Sequence, residues 1–418
     1  MKKQALFLLW CACIAAFGLP DSLSACTSAV ISGKVTPDGR PLLWKNRDTD
    51  FMRNHVAYVK GEKYDFIADV NSDNFPALKE AWIGTNSAGF ALMNTQSYNL
   101  VDVKEGEERG AANGRIIYRA LEVCATVDDF RHFLDTVAKP SLIEANFGAI
   151  DAKGGAALFE VDYHTYIMYD ANNPKDAPYG YIARTNFSFA GEVNRGAGYV
   201  RYMEAEQVLM KVSATGGVTP QGIFNDLSRS FHNCMLGIDL RSGDFNRPQG
   251  SGWFVDQDFI PRSSTSCSVV VQGVKPGEKA ELTTMWTLLG YPPTGVAVPL
   301  WVKEAGRSLP SVACMDKECG AAPLSDWSLR LADEVFCYNQ GMGTNRYLNW
   351  EKLHNVAHEG YMQRLVPVEA EVFRRAMPLL DKWRKQGSVG VREMQALYQE
   401  VETLVRSAYG SISQASCR

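Results

Sequence analysis

Near the start of the chain, Cys26 stands in the segment Leu23-Ser24-Ala25-Cys26, and it is the residue with the clearest chemical potential. Cleavage after Ala25 would leave a cysteine whose thiol and free α-amine belong to one residue. A free α-amine has a pKa of about 7.7–8.0, so near neutral pH part of it can accept the thiol proton. A thiol needs such a base, or a nearby cation, before it attacks a carbonyl carbon. The segment therefore predicts a nucleophile and a base within one residue.

The same segment permits a second interpretation, a bacterial lipid-anchor site in which the Cys26 sulfur carries the lipid. Two features disfavour it. The segment GLPDSLSA, with the charged Asp21, separates the cysteine from the preceding apolar run. A strand pattern begins at Thr27, without the polar linker that would let an anchored domain stand clear of the membrane. An enzyme is favoured, and a lipid-anchored envelope binding protein remains the alternative.

The residues before Cys26 have the layout of a secretory signal. A basic MKK is followed by thirteen residues without a charge, Ala5 to Phe17, and a small residue precedes the cysteine. This run is too short to span a bilayer, which takes about 20 residues, and no later stretch forms a transmembrane segment either. We expect residues 1–25 to be removed and the protein to be exported to the periplasm or the extracellular space.

The formal charge of the chain narrows the classes of partner. Removing two Lys and one Asp with residues 1–25 changes the formal charge from −4 to −5, which disfavours nucleic acid and anionic membranes as partners.

Eight cysteines remain after residues 1–25 are removed. Cys314 and Cys319 are the pair expected to form a local disulfide in an oxidising compartment. We expect Cys124, Cys234 and Cys267 to stay reduced and to pack as small apolar residues.

The elements that must position Cys26 begin with a predicted hairpin, TSAVISGKV and LLWKNRD, around the turn Pro37-Asp38-Gly39. Strands, then helices, then strands follow, and the region Ser325–Ile412 has helical apolar spacing. This order predicts an α+β fold of helices packed on antiparallel sheets, not a doubly wound parallel sheet. Further predicted strands are AWIGTNSAGFALMNTQ as a pair, NFGAIDAKGG, AALFEVDYHTYIMYD, IARTNFSF, SSTSCSVVVQGV and AELTTMWTLL, and further predicted helices are Asn113–Cys124, Val127–Val137, Tyr199–Val212 and Pro220–Phe231.

Cys26-Thr27, the hairpin after it and Asn46-Arg47-Asp48 resemble the opening of the choloylglycine hydrolase and penicillin V acylase family of N-terminal nucleophile (Ntn) hydrolases. The segment is also similar to acyltransferases of the acyl-CoA:6-aminopenicillanic acid type. The resemblance implies a four-layer αββα sandwich of antiparallel sheets over residues 26–299. Residues 300–418 match nothing in the family, and we expect them to form a helical extension that packs on this core.

The resemblance also implies roles for particular residues. Asp48 matches the aspartate that holds the α-amine, and a carboxylate there would orient that amine and tune its pKa. Lys45 matches a family arginine, so either Lys45 or Arg47 could be the cation beside the thiol. The remaining matches are Asn94 in ALMNTQSYN and Asn186 in RTNFSF as oxyanion residues, and Arg262 in FIPRSSTSCSVVV as a late arginine near the cysteine.

The chemistry that follows from the resemblance is acyl transfer from a small-molecule N-acyl amide to Cys26. Water then opens the thioester, or an amine takes the acyl group in the acyltransferase alternative. This mechanism requires no metal and no organic cofactor. The acyl and amine parts of the substrate stay open, and a homo-oligomer is possible. His354 and His358 have the i, i+4 spacing of a helical zinc site, but Glu359 does not follow the first histidine, so a polar helix face is the favoured interpretation.

Overall fold

A computed structural model of the chain describes residues 25–100, 103–108, 110, 112–215, 217–242, 252–256, 258–337 and 347–416. Except for Ala25, the predicted signal segment 1–25 lies outside the described residues. Its removal therefore stays a prediction.

Two large antiparallel sheets form the centre of the described part of the chain. Their strands, together with five short strands at the periphery, are β1 (Thr27–Ile31), β2 (Leu42–Asp48), β3 (Asn54–Val59), β4 (Phe66–Asn71), β5 (Ile83–Asn86), β6 (Ala91–Gln96), β7 (Ala145–Ile150), β8 (Ala156–Val161), β9 (Tyr166–Asp170), β10 (Tyr181–Arg184), β11 (His232–Asn233), β12 (Ile238–Asp239), β13 (Trp253–Val255), β14 (Thr265–Gln272), β15 (Thr284–Leu289), β16 (Val298–Leu300), β17 (Phe336–Cys337) and β18 (Tyr347–Asn349). The first sheet has six strands in the order β10-β1-β2-β14-β15-β16. The second has seven strands in the order β3-β4-β5-β6-β7-β8-β9.

The two large sheets lie face to face, and side chains of both meet at Gly148 on β7. A Cβ atom added there would lie 2.2 Å from Met93 Cε, 2.7 Å from Val30 Cγ2 and 2.9 Å from Leu43 Cδ1. Only glycine leaves room for side chains of both sheets at this point.

Helices cover the outer faces of both sheets. The described helices are α1 (Asn113–Val123), α2 (Val127–Thr136), α3 (Tyr199–Thr215), α4 (Pro220–Gly222), α5 (Ala305–Ser308), α6 (Pro323–Val335), α7 (Trp350–Leu353), α8 (Tyr361–Gln386) and α9 (Val391–Ser416). Apolar residues of α1 and α2, such as Leu121 and Phe130, are buried with Phe147 and Phe159 of the second sheet. The helices α3, α6, α8 and α9 share a core with the first sheet. The predicted α+β fold with four layers in the order αββα is confirmed.

The C-terminal helices are joined to the rest of the described chain by ring stacking, by a buried ion pair and by a hydrogen bond. Trp286 of β15 stacks on Phe373 of α8 with ring centroids 4.1 Å apart. Arg229 makes two hydrogen bonds with the carboxylate of Glu369 on α8, at 2.8 and 2.7 Å. Tyr409 of α9 donates its hydroxyl hydrogen to the carbonyl of Thr294 at 2.8 Å. The predicted division at residue 299 stays a prediction.

Several local predictions need correction. The segment AALFEVDYHTYIMYD forms two strands, because Asp162 accepts hydrogen bonds from the backbone N–H groups of His164 and Thr165 and closes a turn. The predicted helix Pro220–Phe231 is one turn of α-helix followed by a π-helix, Ile223–Ser228. The strands β3 and β4 were not predicted.

The segment HNVAHEG is not helical, so the prediction of a polar helix face was wrong. His354 caps the C-terminus of α7 with extended backbone, and His358 has a φ of 59°. The two imidazoles therefore do not share a helix face, and the spacing that suggested zinc has no structural counterpart.

The disulfide prediction was also wrong in this structure, where Cys314 and Cys319 are free thiols. The turn between them is closed by Asp316, whose Oδ1 accepts from the backbone N–H of Glu318 at 2.8 Å and of Cys319 at 3.3 Å. Cys124 and Cys267 are free and buried, and Cys234 is free and half-buried. Among the described residues, no helix has the length and apolar character needed to cross a membrane.

Candidate active site

Cys26 lies directly before β1, at the end of the first sheet. Antiparallel pairing sets Thr27 opposite Asn46 and so brings Cys26 beside the last residues of β2. Only 4% of Cys26 is exposed, and its sulfur lies 3.8 Å from the backbone carbonyl oxygen of Asp48. The β1–β2 hairpin, which the turn residues predicted, is therefore what positions the cysteine.

Alternation along β2 sends its polar side chains in two directions. Lys45 points toward the second sheet, where it reaches Asn94. Asn46 points the other way, toward the helix layer, and donates to the carbonyl of Ser228 at 3.2 Å. One strand thus supplies groups on both sides of the Cys26 backbone.

Asp48 is buried beside this backbone. Its Oδ1 accepts a hydrogen bond from the hydroxyl of Thr265 on β14 at 2.6 Å. Burial raises the pKa of the Asp48 carboxyl to about 6, while Arg201, Arg262 and the Thr265 hydroxyl act in the opposite direction. Two cations near a buried carboxyl are what keeps it able to ionise near neutral pH.

Lys45 is the cation on the thiol side. Its ammonium donates to Asn94 Oδ1 at 3.0 Å and to the Trp82 carbonyl at 3.1 Å. Burial lowers the pKa of Lys45, and the largest opposing influence is the negative charge of an ionised Cys26. Lys45 therefore lies within electrostatic reach of the Cys26 thiol.

Arg47 is occupied elsewhere. Its guanidinium hydrogen-bonds Asn54 and, at 2.6 Å, Asn71 Oδ1, and it lies 3.7 Å from Asp69 Oδ2. The ring of Trp82 lies under it at 4.5 Å from the centroid. These contacts hold Arg47 against β3 and β4 of the second sheet, and the identity of the cation beside the thiol stays a prediction.

Asn186 follows β10 and is fully buried. Its backbone pairs with Ala197, and its side-chain Nδ2 donates to the carbonyl of Gln96 at 2.8 Å. Its Oδ1 accepts from Arg201 at 3.2 Å. These two hydrogen bonds fix the orientation of the amide, with Nδ2 directed toward the end of β6.

Arg262 lies in the loop before β14, with a third of its side chain exposed. Its backbone N–H donates to the Thr265 hydroxyl at 2.9 Å, so Thr265 connects Arg262 with Asp48. Burial alone would lower the pKa of Arg262, but the negative charges of Asp48 and Asp258 raise it. The loosest of the sequence matches is thus near Asp48, and its guanidinium is 3.7 Å from Asp258.

Arg201 on α3 is a residue that the sequence reasoning missed. Its Nη1 donates to the carbonyl of Cys26 at 2.8 Å and to the hydroxyl of Thr27 at 2.9 Å, and its Nε pairs with Asp258 at 2.9 Å. A signal was present, because Arg201 is in helical phase with Ala205 and Leu209, both fully buried apolar residues. A charged residue on the buried apolar face of a helix is a candidate for a functional contact.

Thr265, Asp258 and Tyr98 were missed as well. Burial raises the pKa of the Tyr98 hydroxyl, and the negative charge of an ionised Cys26 has the next largest influence in the same direction. Tyr98 therefore lies near Cys26, and its backbone N–H donates to the carbonyl of Asn186 at 3.3 Å. No spacing in the sequence marks these three residues.

The structure thus brings all six predicted residues, Cys26, Lys45, Asp48, Asn94, Asn186 and Arg262, to one end of the two large sheets. The site combines the buried thiol of Cys26 and the ionisable carboxyl of Asp48 with three cations. These are Lys45, Arg201 and Arg262. Such a set can ionise a thiol, hold an amine and stabilise a negative oxygen. In the described ranges, no group of three or more His, Cys, Asp or Glu side chains is placed to hold a metal ion.

Comparison with known proteins gave similarities to solved structures. No family model matches the sequence, and no curated protein matches it. The chain is similar to a mutant of conjugated bile acid hydrolase from Clostridium perfringens, with 11% identity over 67% of this chain and 93% of that one and a TM-score of 0.41. It is similar to penicillin V acylase from Agrobacterium tumefaciens, with 14% identity, 67% and 86% coverage and a TM-score of 0.37. It is also similar to the N-acylethanolamine-hydrolyzing acid amidase orthologue of Caenorhabditis elegans, with 13% identity over 59% of this chain and 92% of that one and a TM-score of 0.38.

These names include both enzymes after which the resembled family is called. At such identities and TM-scores, nothing about activity or substrate is transferred from them. The function is therefore derived from the arrangement around Cys26.

Proposed function

We propose that this protein is an exported amidohydrolase that cleaves linear carbon–nitrogen bonds of small N-acyl amides through a thioester on Cys26. The observation that carries the proposal is the setting of Cys26, a buried thiol that lies 3.8 Å from the backbone carbonyl oxygen of Asp48 and interacts electrostatically with the cation Lys45. A cysteine kept only for packing needs neither neighbour.

In the proposed acylation step, cleavage after Ala25 makes the nitrogen of Cys26 a free amine. This amine accepts the thiol proton, and the sulfur attacks the substrate carbonyl carbon, so that a C–S bond forms and the carbonyl oxygen becomes an oxyanion. Collapse of this intermediate breaks the C–N bond, and the leaving amine takes the proton from the α-ammonium. A water molecule then gives a proton to the amine, attacks the thioester and releases the acid, and the thiol regains its proton.

The neighbouring residues have separate tasks in this scheme. Ionised Asp48 holds the α-ammonium, which forms in both steps. Because Asn94 Oδ1 faces Lys45, the N–H groups of the Asn94 amide are the part that can donate to the oxyanion. Asn186 is the second proposed oxyanion residue, and loss of one such donor costs about 2.7–4 kcal/mol of transition-state stabilisation.

A lipid-anchored binding protein fits these surroundings less well. Ala25 is 1% exposed and Cys26 is 4% exposed, and Thr27 is already paired in β1. A lipid attached to the Cys26 sulfur would have to extend from a buried position to the membrane, and the packing around Cys26 disfavours this. An acyltransferase differs only in the acceptor, because an amine can open the same thioester.

The test starts from the secreted protein, whose intact mass and N-terminal sequence should show an unmodified Cys26 as first residue. A panel of N-acyl amides is then assayed with the wild-type protein, with Cys26→Ala and with Cys319→Ala as a matched cysteine control. We expect amide cleavage in the wild type and in Cys319→Ala, and none in Cys26→Ala. A lipid mass on Cys26, or full turnover by Cys26→Ala, would overturn the proposal. Product analysis with added amines separates hydrolysis from acyl transfer.

A further inference from the structure

Arg201 holds the backbone of the nucleophile itself. Its Nη1 contacts the carbonyl oxygens of Ala25 at 3.2 Å and of Cys26 at 2.8 Å, and the hydroxyl oxygen of Thr27 at 2.9 Å. A guanidinium Nη atom carries two hydrogens, so these three acceptors share them. Once Ala25 is removed, two hydrogens face two acceptors, Cys26 O and Thr27 Oγ1. The donor count of Arg201 therefore matches the cleaved form of the chain.

The other nitrogens of Arg201 connect this contact to the rest of the site. Nη2 donates to Asn186 Oδ1 at 3.2 Å, and Nε donates to Asp258 at 2.9 Å. The Arg201 side chain has no exposed surface, whereas a third of the Asp258 side chain is exposed. The rigid, planar guanidinium of Arg201 thus fixes the position of the Cys26 carbonyl relative to the side-chain amide of Asn186, because it hydrogen-bonds both.

Fold stability alone does not require a buried arginine at this position. Arg201 shares its helix face with the buried apolar residues Ala205 and Leu209. Replacing a buried ion pair with well-packed apolar residues is often neutral or stabilising, because the desolvation of the charges is costly. The chain also leaves space for the guanidinium, since a Cβ on Gly198 would lie 2.3 Å from Arg201 Nη2.

We propose that Arg201 is a positioning residue that fixes Cys26 for attack and aims the Asn186 amide through the same guanidinium. The assignment rests on the proposed acyl transfer at Cys26. Arg201 acts through Cys26, Thr27 and Asn186 and does not itself touch the reacting atoms.

The test uses the secreted, cleaved protein and four variants. Arg201→Met removes the charge and the hydrogen bonds, and Arg201→Lys keeps the charge alone. Gly198→Ala displaces the guanidinium without changing its chemistry. Gly277→Ala is its control, because both glycines have positive φ values, of 82° and 91°, but nothing lies within 4 Å of a Cβ on Gly277.

Two readouts are measured for each variant. The first is kcat and KM with the amide that the wild type cleaves best. The second is the rate of Cys26 alkylation by iodoacetamide, followed by peptide mass spectrometry, which needs no substrate. We expect Arg201→Met and Gly198→Ala to lower kcat by about 10²-fold with little change in KM, because a misplacement of about 1 Å can cost that much. Arg201→Lys should recover part of the loss, and Gly277→Ala should behave as wild type.

The outcomes separate this proposal from the proposed function. If the wild type cleaves no amide but Arg201→Met and Gly198→Ala change Cys26 alkylation, the positioning role stands and the amidohydrolase assignment fails. If the wild type cleaves amides and both Arg201→Lys and Gly198→Ala keep its kcat and alkylation rate, the positioning role fails alone. If Arg201→Met does not fold, the other two variants decide. A loss shared equally by Gly198→Ala and Gly277→Ala would also overturn the positioning role.

Discussion

Lys45 on β2 and Asn94 on β6 are joined by a hydrogen bond of 3.0 Å, which crosses from the first sheet to the second beside Cys26. The bond uses the oxygen of the Asn94 amide and directs its N–H groups away from the lysine. In the proposed mechanism, this one contact therefore positions both the cation for the thiol and a donor for the oxyanion. The first prediction concerns this cation.

Replacing Lys45 with methionine should slow alkylation of Cys26 by iodoacetamide at neutral pH. The thiolate is the reactive form, and the variant lacks a positive charge that interacts with it. Lys45→Arg keeps a positive charge and should keep part of the rate. Lys352→Met, at an exposed lysine on α7, is the control. If Lys45→Met reacts as fast as wild type across neutral pH, Lys45 does not activate the thiol.

The second prediction is an acid limb in the pH profile of kcat/KM. In the proposed mechanism only ionised Asp48 can hold the α-ammonium, and burial raises the pKa of this carboxyl to about 6. We therefore expect kcat/KM to fall as the pH drops through about 6, in addition to the fall from protonation of the α-amine below about 8. Thr265→Val removes a hydrogen bond that favours the carboxylate, so the lower limb should move to higher pH.

Thr287→Val is the matched control for this prediction. Thr287 is a buried threonine on β15, and its hydroxyl has no hydrogen-bond partner among the described residues. Its profile should coincide with that of the wild type. If Thr265→Val leaves the lower limb in place, that limb does not belong to Asp48.

Much of the fold was readable from the sequence because its signals are local. The turn at Pro37-Asp38-Gly39 predicted the first hairpin, and the helix predicted at Val127–Val137 begins as α2 with a capping box of Thr126 and Asp129. The strands β3 and β4 were not read, because buried polar side chains such as Asn54 and Asp69 interrupt their apolar pattern. Tertiary contacts, which local patterns do not contain, decide such segments.

The same distinction applies to the site. Cys26 and Asp48 belong to one hairpin, so their proximity follows from a local signal. Arg201 and Thr265 reach the hairpin from distant parts of the chain, and only the packed sheets and helix bring them there. The sequence shows that Arg201 lies on the same helix face as Ala205 and Leu209. It does not show that this face packs against the backbone of Cys26.

The third prediction concerns Asp69, a carboxyl fully buried between the sheets. Burial raises its pKa to about 6, against the influence of Arg47 and Lys45. A pKa that is higher in the folded state adds stability below the unfolded pKa, near 4, and this stability is lost as the pH rises through about 6. Denaturant unfolding at about pH 4 and pH 7.5 should therefore show a smaller pH-dependent loss in Asp69→Asn than in wild type, by about 2–3 kcal/mol. Equal losses in both proteins would mean that Asp69 does not carry this proton.

The fourth prediction concerns the ion pair between Glu369 on α8 and Arg229, which follows the π-helix Ile223–Ser228. Glu369 also accepts a hydrogen bond from the backbone N–H of Ala297 at 2.8 Å, and both side chains are almost fully buried. Glu369→Ala leaves the Arg229 charge buried without its carboxylate, and breaking such a pair costs about 3–5 kcal/mol of unfolding free energy. The control is Glu371→Gln, two residues along α8, where the partners Arg374 and Arg375 lie at the surface and the loss should be small.

Cys26 alkylation measured on the same two variants tells whether α8 also supports the site. Arg229 follows Ser228, whose carbonyl accepts from Asn46 on β2, so the ion pair is connected to the strand that carries Lys45 and Asp48. We expect Glu369→Ala to unfold at lower denaturant concentration in a single transition that includes the loss of Cys26 protection. A separate, earlier transition of the C-terminal helices, with Cys26 still protected, would contradict a shared core and would make residues 300–418 an independent unit.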